Sequence, residues 1–191
     1  MERKERQVRG SLAKFETREN GEDLVIEGYF SVFNTNYEMW EGATESIAPG
    51  AFDGALGDDI RALIDHDTRL VLGRNKAGTL ELRPDSHGLW GSIKINPKDG
   101  DAMNLYERVK RGDVDQCSFG FDILSEETDF RDDGSVHWTI LSVKLYEVSV
   151  CTFPAYTETA VSARKRDYDD LCKRKQELWK IKMRTMLKGE E

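Results

Sequence analysis

The chain has 191 residues, 38% of them hydrophobic and 34% charged, as expected for one soluble globular domain with a tail. No apolar run is long enough to span a membrane, and the first ten residues lack an apolar signal region, so we expect a cytoplasmic protein with no membrane partner. Three cysteines without a CxxC pair and only three histidines argue against a disulfide framework or a structural zinc site.

The formal net charge of −8 is unevenly distributed along the chain. Residues 164–188 carry ten Lys/Arg against four Asp/Glu, whereas residues 1–163 carry 18 basic and 30 acidic side chains. We therefore predict an acidic domain over residues 1–163 and a basic helical tail over residues 164–191. An acidic domain disfavours nucleic acid as a partner, because attraction to phosphates needs a positive surface.

The first half of the chain predicts mainly strands. "SLAKFET" and "LVIEGYFSVF" form a hairpin around an Asn20-Gly21 turn, and "SIAPGAFDGAL" predicts a short helix entered through Pro49. "DIRALIDHD" is an apolar strand that ends in charged residues at His66. Further strands follow, separated by turns at three glycines: Gly73, Gly78 and Gly88.

The second half begins with a helix in "PKDGDAMNLYERVKRG", which Asp99 or Asp101 caps and Gly112 ends. Strands are then predicted in "VDQCSFGFDI", "VHWTILSV" and "LYEVSVCTF". About eight short strands joined by hairpins predict a mainly β (α+β) fold, an antiparallel β-barrel with short packed helices and the basic C-terminal helical tail.

Side-chain alternation separates the residues of "VDQCSFGFDI" into two faces. Cys117, Phe119 and Phe121 point to the core, where a cysteine behaves as a small hydrophobe. Ser118 and Gly120 lie on the opposite, polar face, and the missing side chain at Gly120 leaves room for another backbone.

Two further polar groups lie on other strands. Alternation in "LYEVSVCT" places Glu147 on a face with Leu145, Ser149 and Cys151, and His66 ends its strand. A hydroxyl, an imidazole and a carboxylate are the groups that nucleophilic acyl transfer requires. Each also has an ordinary structural explanation, since Ser118 can be a surface residue, His66 a cap, and Glu147 the partner of an arginine.

The segments "YEVSVCTFPAYTET", "SFGF" and "DHD", with "IEGYFSVFNT" and "ESIAPGAFDGAL", resemble the prohead maturation proteases of tailed bacteriophages over about residues 10–163. These serine peptidases are distantly related to the assembly protease of herpesviruses. The resemblance implies a β-barrel with packed helices. It also implies a catalytic triad whose positions here are His66, Ser118 and Glu147.

The same resemblance implies a serine endopeptidase that works inside the assembling prohead in the host cytoplasm, without a cofactor or metal. Its expected partners are the major capsid protein and its scaffolding segment, with the portal protein and a second copy in a homodimer as further candidates. The tail is expected to be a targeting or self-cleaved segment. Residues 148–159, which follow Glu147, contain no arginine that could stabilise the oxyanion. The candidates for this role are therefore backbone N–H groups at Phe119 or Gly120, and Arg69 or Arg74.

Three alternatives stay open at this point. One is a cysteine enzyme with Cys117 or Cys151 as nucleophile, although an apolar or acidic environment opposes a thiolate. Another is a metal hydrolase using the "DHD" residues, whose neighbours on a strand point to opposite faces. The third is a non-enzymatic scaffold or adaptor barrel. Within the enzyme hypothesis, His137 is a second candidate for the third member of the triad.

Overall fold

The computed structural model describes residues 6–12, 15–20, 23–153 and 158–188. The chain divides into two compact units, residues 1–157 and residues 158–191. Within the described residues, the first unit contains one α-helix, α1 (Gly100–Arg111), and the second consists of a long helix, α2 (Glu158–Lys188). Neither helix combines the length and the apolar character that crossing a membrane would require, as far as the described residues go.

The described part of the first unit contains eleven strands and a short 3-10 turn (Asn75–Ala77). The strands are β1 (Gln7–Leu12), β2 (Glu16–Asn20), β3 (Asp23–Val32), β4 (Tyr37–Trp40), β5 (Ala43–Ile47), β6 (Arg61–Ile64), β7 (Asp67–Arg74), β8 (Leu80–Pro84), β9 (Gly88–Ile95), β10 (Gln116–Phe130) and β11 (Val136–Cys151).

These strands form two sheets. Seven of them make a mixed sheet with the order β1-β10-β11-β5-β4, in which β6 also pairs with β11 and β7 pairs with β6. The other four make an antiparallel sheet with the order β2-β3-β9-β8.

The mainly β, α+β character is confirmed, but the antiparallel barrel is wrong for the part of the chain that is described. The strands β5 and β6 both pair with β11 in parallel, one after the other along its length. One edge of β11 thus receives two strands from distant parts of the chain, and the pairings leave two separate sheets. Alternation within a strand reports which face is buried and carries no information on which strand lies alongside.

The hairpin predicted in the first third is confirmed in part, because β2 pairs antiparallel with β3 but begins only at Glu16. Ser11 and Leu12 of the predicted strand belong to β1, which pairs with β10, and the turn residues 21 and 22 lie outside the described residues. The helix predicted over "SIAPGAFDGAL" is wrong. Its first residues belong to β5, and the rest is a series of turns closed by bonds between residues three apart, such as Ala51 N–H to Ala48 and Ala55 N–H to Phe52. Gly50 has a left-handed φ of 86°, which a helix cannot contain.

The helix α1 is confirmed, and its ends follow the sequence signals. The Asp99 side chain accepts hydrogen bonds from the N–H groups of Asp101 and Ala102. Gly112 ends the helix with φ 84°, a conformation that glycine adopts without a steric penalty. Buried residues on one face, which include Leu105 and Tyr106, join the core.

The predicted turn at Gly73 is also wrong, because Gly73 lies inside β7. A Cβ atom there would come within 2.7 Å of the Thr79 carbonyl oxygen, so glycine is needed for a close approach of two backbones. Gly78 does lie in a turn, with φ 69°, whereas Gly88 opens β9.

A single hydrophobic core draws side chains from both sheets, α1 and the turns after β5. Cys117, Phe119, Phe121 and Ile123 of β10 all belong to it, so the predicted core face of this strand is confirmed. One face of β10 and β11 packs in this core. The opposite face of the two strands carries the polar side chains.

Candidate active site

His66 lies in a two-residue turn that joins β6 to β7. Asp65 and His66 have left-handed φ values of 46° and 61°, the conformation of a tight hairpin turn. Two bonds of Asp65 fix this turn against β11: its N–H donates to the Val150 carbonyl at 3.1 Å, and its Oδ1 accepts from Thr152 N–H at 2.9 Å. The turn therefore holds the imidazole beside the end of β11.

The imidazole of His66 bonds directly to the carboxylate of Glu147. The Nδ1 to Oε1 distance is 2.8 Å, and the side chain of Glu147 is only 6% exposed against 23% for His66. A carboxylate only accepts hydrogen bonds, so Nδ1 carries the hydrogen in this contact. In the neutral ring, Nε2 is then left with its lone pair, which is the form a general base needs.

A bulge in the β10–β11 ladder orients Glu147. Gly120 pairs with Glu147 and Phe121 pairs with Leu145, so Tyr146 is an extra residue on β11. Leu145 consequently turns into the core, and its predicted place on the face of Glu147 is wrong. Beyond the bulge Glu147 and Ser149 share the polar face, and the space above Gly120 is taken by the Glu147 side chain, where the sequence predicted a backbone.

Ser118 lies on the same face of the sheet. It pairs with Ser149 of β11 and with Gly10 of β1, and directly opposite residues in a ladder project to one side. The side chain is fully buried, and its hydroxyl donates to the Arg9 carbonyl at 2.9 Å. The structure thus brings His66 and Glu147 into contact and places Ser118 on the neighbouring strand with its hydroxyl turned toward β1.

The two cysteines near this site differ in their surroundings. The Cys117 thiol contacts the carbonyl oxygens of Tyr29 and Phe30 on the core side. The Cys151 sulfur lies 3.9 Å from His66 Nε2, so its position suits a nucleophile better than the sequence indicated. Burial, followed by the Asp65 carboxylate, raises the pKa of the Cys151 thiol, which opposes thiolate formation.

The "DHD" residues turn to three different partners. Asp65 binds Thr152, His66 binds Glu147, and Asp67 binds Arg69. The hydrogen bonds from the Arg69 side chain hold the pKa of Asp67 at about 2. These contacts direct the three side chains away from any common point and give the metal-hydrolase alternative no geometric support.

The candidate arginines for charge stabilisation are both engaged elsewhere. The Arg69 guanidinium bonds to Asp67, and the Arg74 guanidinium bonds to Asp59 at 2.6 and 2.7 Å.

His137, the alternative third member of a triad, lies between the hydroxyls of Thr44 and Ser46, at 2.8 and 2.9 Å from its two ring nitrogens. His137 therefore has partners other than Glu147.

Sequence reasoning did not assign a role to Ser149, although its position two residues after Glu147 on the same face was the available signal. Its Oγ donates to Glu147 Oε2 at 2.6 Å and lies 3.3 Å from His66 Nδ1. The sequence pattern does not predict the hydrogen bond of Ser118 to the Arg9 carbonyl, because the two residues are 109 positions apart.

Comparisons with known proteins match the chain to prohead proteases. A family model described as the caudovirus prohead serine protease matches residues 13–174. The prohead protease of Enterobacteria phage HK97 is 29% identical over 150 residues, which cover 76% of this chain and 62% of that protein. The chain thus spans about three fifths of the length of this relative.

Among solved structures, the capsid assembly protease of bacteriophage T4 aligns with a TM-score of 0.47 and 12% sequence identity. The alignment covers 78% of this chain and 99% of the T4 protein. A similarity of this size is too low to support an argument.

Proposed function

The chain belongs to the caudovirus prohead serine protease family, and from that premise we propose that it is a serine endopeptidase with Ser118, His66 and Glu147 as its triad. The observation that carries the proposal is the 2.8 Å contact between His66 Nδ1 and Glu147 Oε1 beside the strand that holds Ser118. It supplies an oriented base of the kind that serine nucleophiles need.

In the proposed mechanism Ser118 attacks the carbonyl carbon of the scissile peptide bond and forms an acyl-enzyme. His66 takes the hydroxyl proton at Nε2 and then gives it to the leaving amine, and water attacks the acyl-enzyme in the second half of the reaction. Glu147 keeps the hydrogen on Nδ1 and stabilises the charged ring. The Ser118 hydroxyl must first exchange its bond to the Arg9 carbonyl for one to His66.

Backbone N–H groups near Phe119 or Gly120 are candidates for stabilising the oxyanion because they follow Ser118 directly in the chain. Both residues pair with β1 and β11 in the sheet, so such an N–H would exchange its strand partner for the oxyanion. Arg69 and Arg74 would first have to leave the carboxylates of Asp67 and Asp59.

We propose the major capsid protein and its scaffolding segment as substrates, and the interior of the assembling prohead as the place of action. The name of the HK97 relative, a prohead protease, supports this choice. The portal protein and a second copy of the chain are further proposed partners. The basic segment 164–191 is proposed to direct the enzyme into the shell and to be removed by self-cleavage.

The proposal is tested by co-expressing the wild type or Ser118→Ala with the major capsid protein of the same phage, followed by intact-mass measurement of both proteins. The wild type is expected to yield a shortened capsid protein and a protease that has lost its basic segment. The variant should leave both at full length. A variant such as Ser142→Ala, on β11 but away from the site, should cleave like the wild type.

The alternative is a non-enzymatic scaffold or adaptor, which predicts the same capsid mass with either protein. A capsid protein shortened to the same extent by Ser118→Ala and by the wild type would contradict Ser118 as the nucleophile. The mass of the protease alone shows whether the basic segment is lost. The proposed self-cleavage can therefore be wrong even if the capsid protein is cleaved.

A further inference from the structure

We propose that Ser149 is a positioning residue that, together with Gly120, holds the Glu147 carboxylate against His66. This inference rests on the proposed role of the His66–Glu147 pair, and it adds two residues to the machinery on which that pair depends.

Each oxygen of the Glu147 carboxylate accepts a hydrogen bond from a described side chain. Oε1 accepts from His66 Nδ1 at 2.8 Å, and Oε2 accepts from the Ser149 hydroxyl at 2.6 Å. The second distance lies in the range of strong hydrogen bonds between a hydroxyl and a charged carboxylate. Because Ser149 is fully buried and Glu147 nearly so, the Ser149 hydroxyl takes the place that water would fill at an exposed carboxylate.

Gly120 supplies the space in which the carboxylate lies. It is directly opposite Glu147 in the β10–β11 ladder. A Cβ atom at this position would lie 2.3 Å from Glu147 Oε1, 3.1 Å from Cδ and 3.3 Å from Cγ. Any side chain other than hydrogen would therefore push away the oxygen that binds His66.

The geometry distinguishes Ser149 from a nucleophile, although it lies opposite Ser118. Its Oγ is 3.3 Å from His66 Nδ1, the nitrogen that already donates to Glu147. A serine that His66 activates must face Nε2, the nitrogen with the lone pair. Ser149 therefore acts on the carboxylate and on the Nδ1 side of the ring, where it fixes the rotamer of Glu147 and the tautomer of His66.

The test measures cleavage of purified major capsid protein at a series of concentrations by the full-length enzyme. Ser149→Ala is expected to lower kcat by roughly 10- to 100-fold with little change in KM, because the substrate does not contact the carboxylate. Ser149→Thr, which keeps the hydroxyl, should restore most of kcat, and Gly120→Ala should reproduce the loss. Ser142→Ala is the matched control on the same strand and should behave like the wild type.

A second readout does not depend on turnover. The ¹⁵N chemical shifts of the His66 ring should show one tautomer, with hydrogen on Nδ1, in the wild type and in Ser118→Ala. Ser149→Ala and Gly120→Ala should give a mixture of tautomers. The dispersion of the backbone amide resonances in each variant establishes separately that the variant is folded.

The outcomes separate this inference from the proposed function. If Ser118→Ala abolishes cleavage while Ser149→Ala keeps the wild-type kcat and tautomer, the positioning role is wrong and the triad stands. If the wild type cleaves nothing, the proposed function fails, and a wild-type ring spectrum in Ser149→Ala would overturn the positioning role as well. Cleavage that survives Ser118→Ala but not Ser149→Ala would make Ser149 the nucleophile and overturn both.

Discussion

At the scale of single residues, the left-handed backbone at Asp65 and His66 is the most unusual feature of the site. Residues other than glycine pay an energetic penalty there, and hairpin turns of this kind usually contain Asn-Gly or Asp-Gly. The bonds of Asp65 to Val150 and Thr152 keep the turn in place. The strain falls on the residue that carries the imidazole, as is common at functional sites.

Two substitutions of His66 separate the chemistry from this backbone conformation. Asparagine tolerates left-handed φ values, whereas valine is β-branched and does not. Both variants lose the imidazole bond to Glu147, so we expect His66→Val to lose about 1–2 kcal/mol more free energy of unfolding than His66→Asn because of the backbone conformation alone. Both should abolish cleavage, because both remove the base. Urea unfolding measures the stability of each variant, and the capsid assay measures its cleavage activity. Equal stability of the two variants would contradict a strained backbone at position 66.

The raised pKa of the Cys151 thiol gives a pH dependence of stability. Below about pH 8.5, the ordinary thiol value, the folded and the unfolded chain both hold this proton. Above it the unfolded chain loses the proton while the folded protein keeps it, so the contribution to stability is lost as the pH rises.

We therefore expect the wild type to lose about 1 kcal/mol more than Cys151→Ala in free energy of unfolding between about pH 7.5 and pH 9.5. Denaturant unfolding at the two pH values measures this difference, and the Ala variant controls for all other titrating groups. Parallel losses in the two proteins would show that the Cys151 thiol titrates normally, and would reopen the cysteine-enzyme alternative.

At the scale of elements, β1 is the edge strand that adjoins the proposed nucleophile. Its Arg9 carbonyl accepts the Ser118 hydroxyl, and its Arg9 side chain forms a buried two-pronged ion pair with Glu45 of β5. Arg9 is 4% exposed and Glu45 is fully buried. The pair thus ties an edge strand, and one partner of Ser118, to a strand on the far side of β11.

Replacing one member of the Arg9–Glu45 ion pair should lower the stability of the folded protein. Arg9→Met is expected to lower the free energy of unfolding by about 3–5 kcal/mol, because it leaves the Glu45 carboxylate buried without its arginine. The double variant Arg9→Met with Glu45→Leu should recover most of that loss. Denaturant unfolding of the two variants checks this, and a double variant as unstable as the single one would show that packing, and not charge, sets the effect.

The strands β10 and β11 show how far sequence patterns reach at this scale. Alternation correctly separated Cys117 and Phe119 from Ser118, because the core fixes one face of β10. It failed at Leu145, since the extra residue Tyr146 shifts the register and exchanges the faces. A bulge depends on how two strands fit, which the pattern within one strand does not contain.

At the scale of the whole molecule, the sequence predicted the class of fold but not its connections. The parallel pairing of β5 and β6 with β11 joins segments about 80–100 residues apart, so no local signal indicates it. Strand position and alternation pointed to His66 and Glu147 as polar groups, and a resemblance to known proteases assigned them to a triad. Their contact, and the hydroxyl of Ser149 behind it, depends on that long-range pairing.

Covalent labelling gives the sharpest test of Ser118 as the nucleophile. The enzyme is treated with a fluorophosphonate while it cleaves capsid protein, so that any accessible form of the site can react, and the adduct is located by peptide mass mapping. We predict that cleavage stops, that one adduct forms on Ser118, and that His66→Asn forms none. An adduct on Ser149 or Cys151, or cleavage that continues at full rate, would show that Ser118 is not the nucleophile.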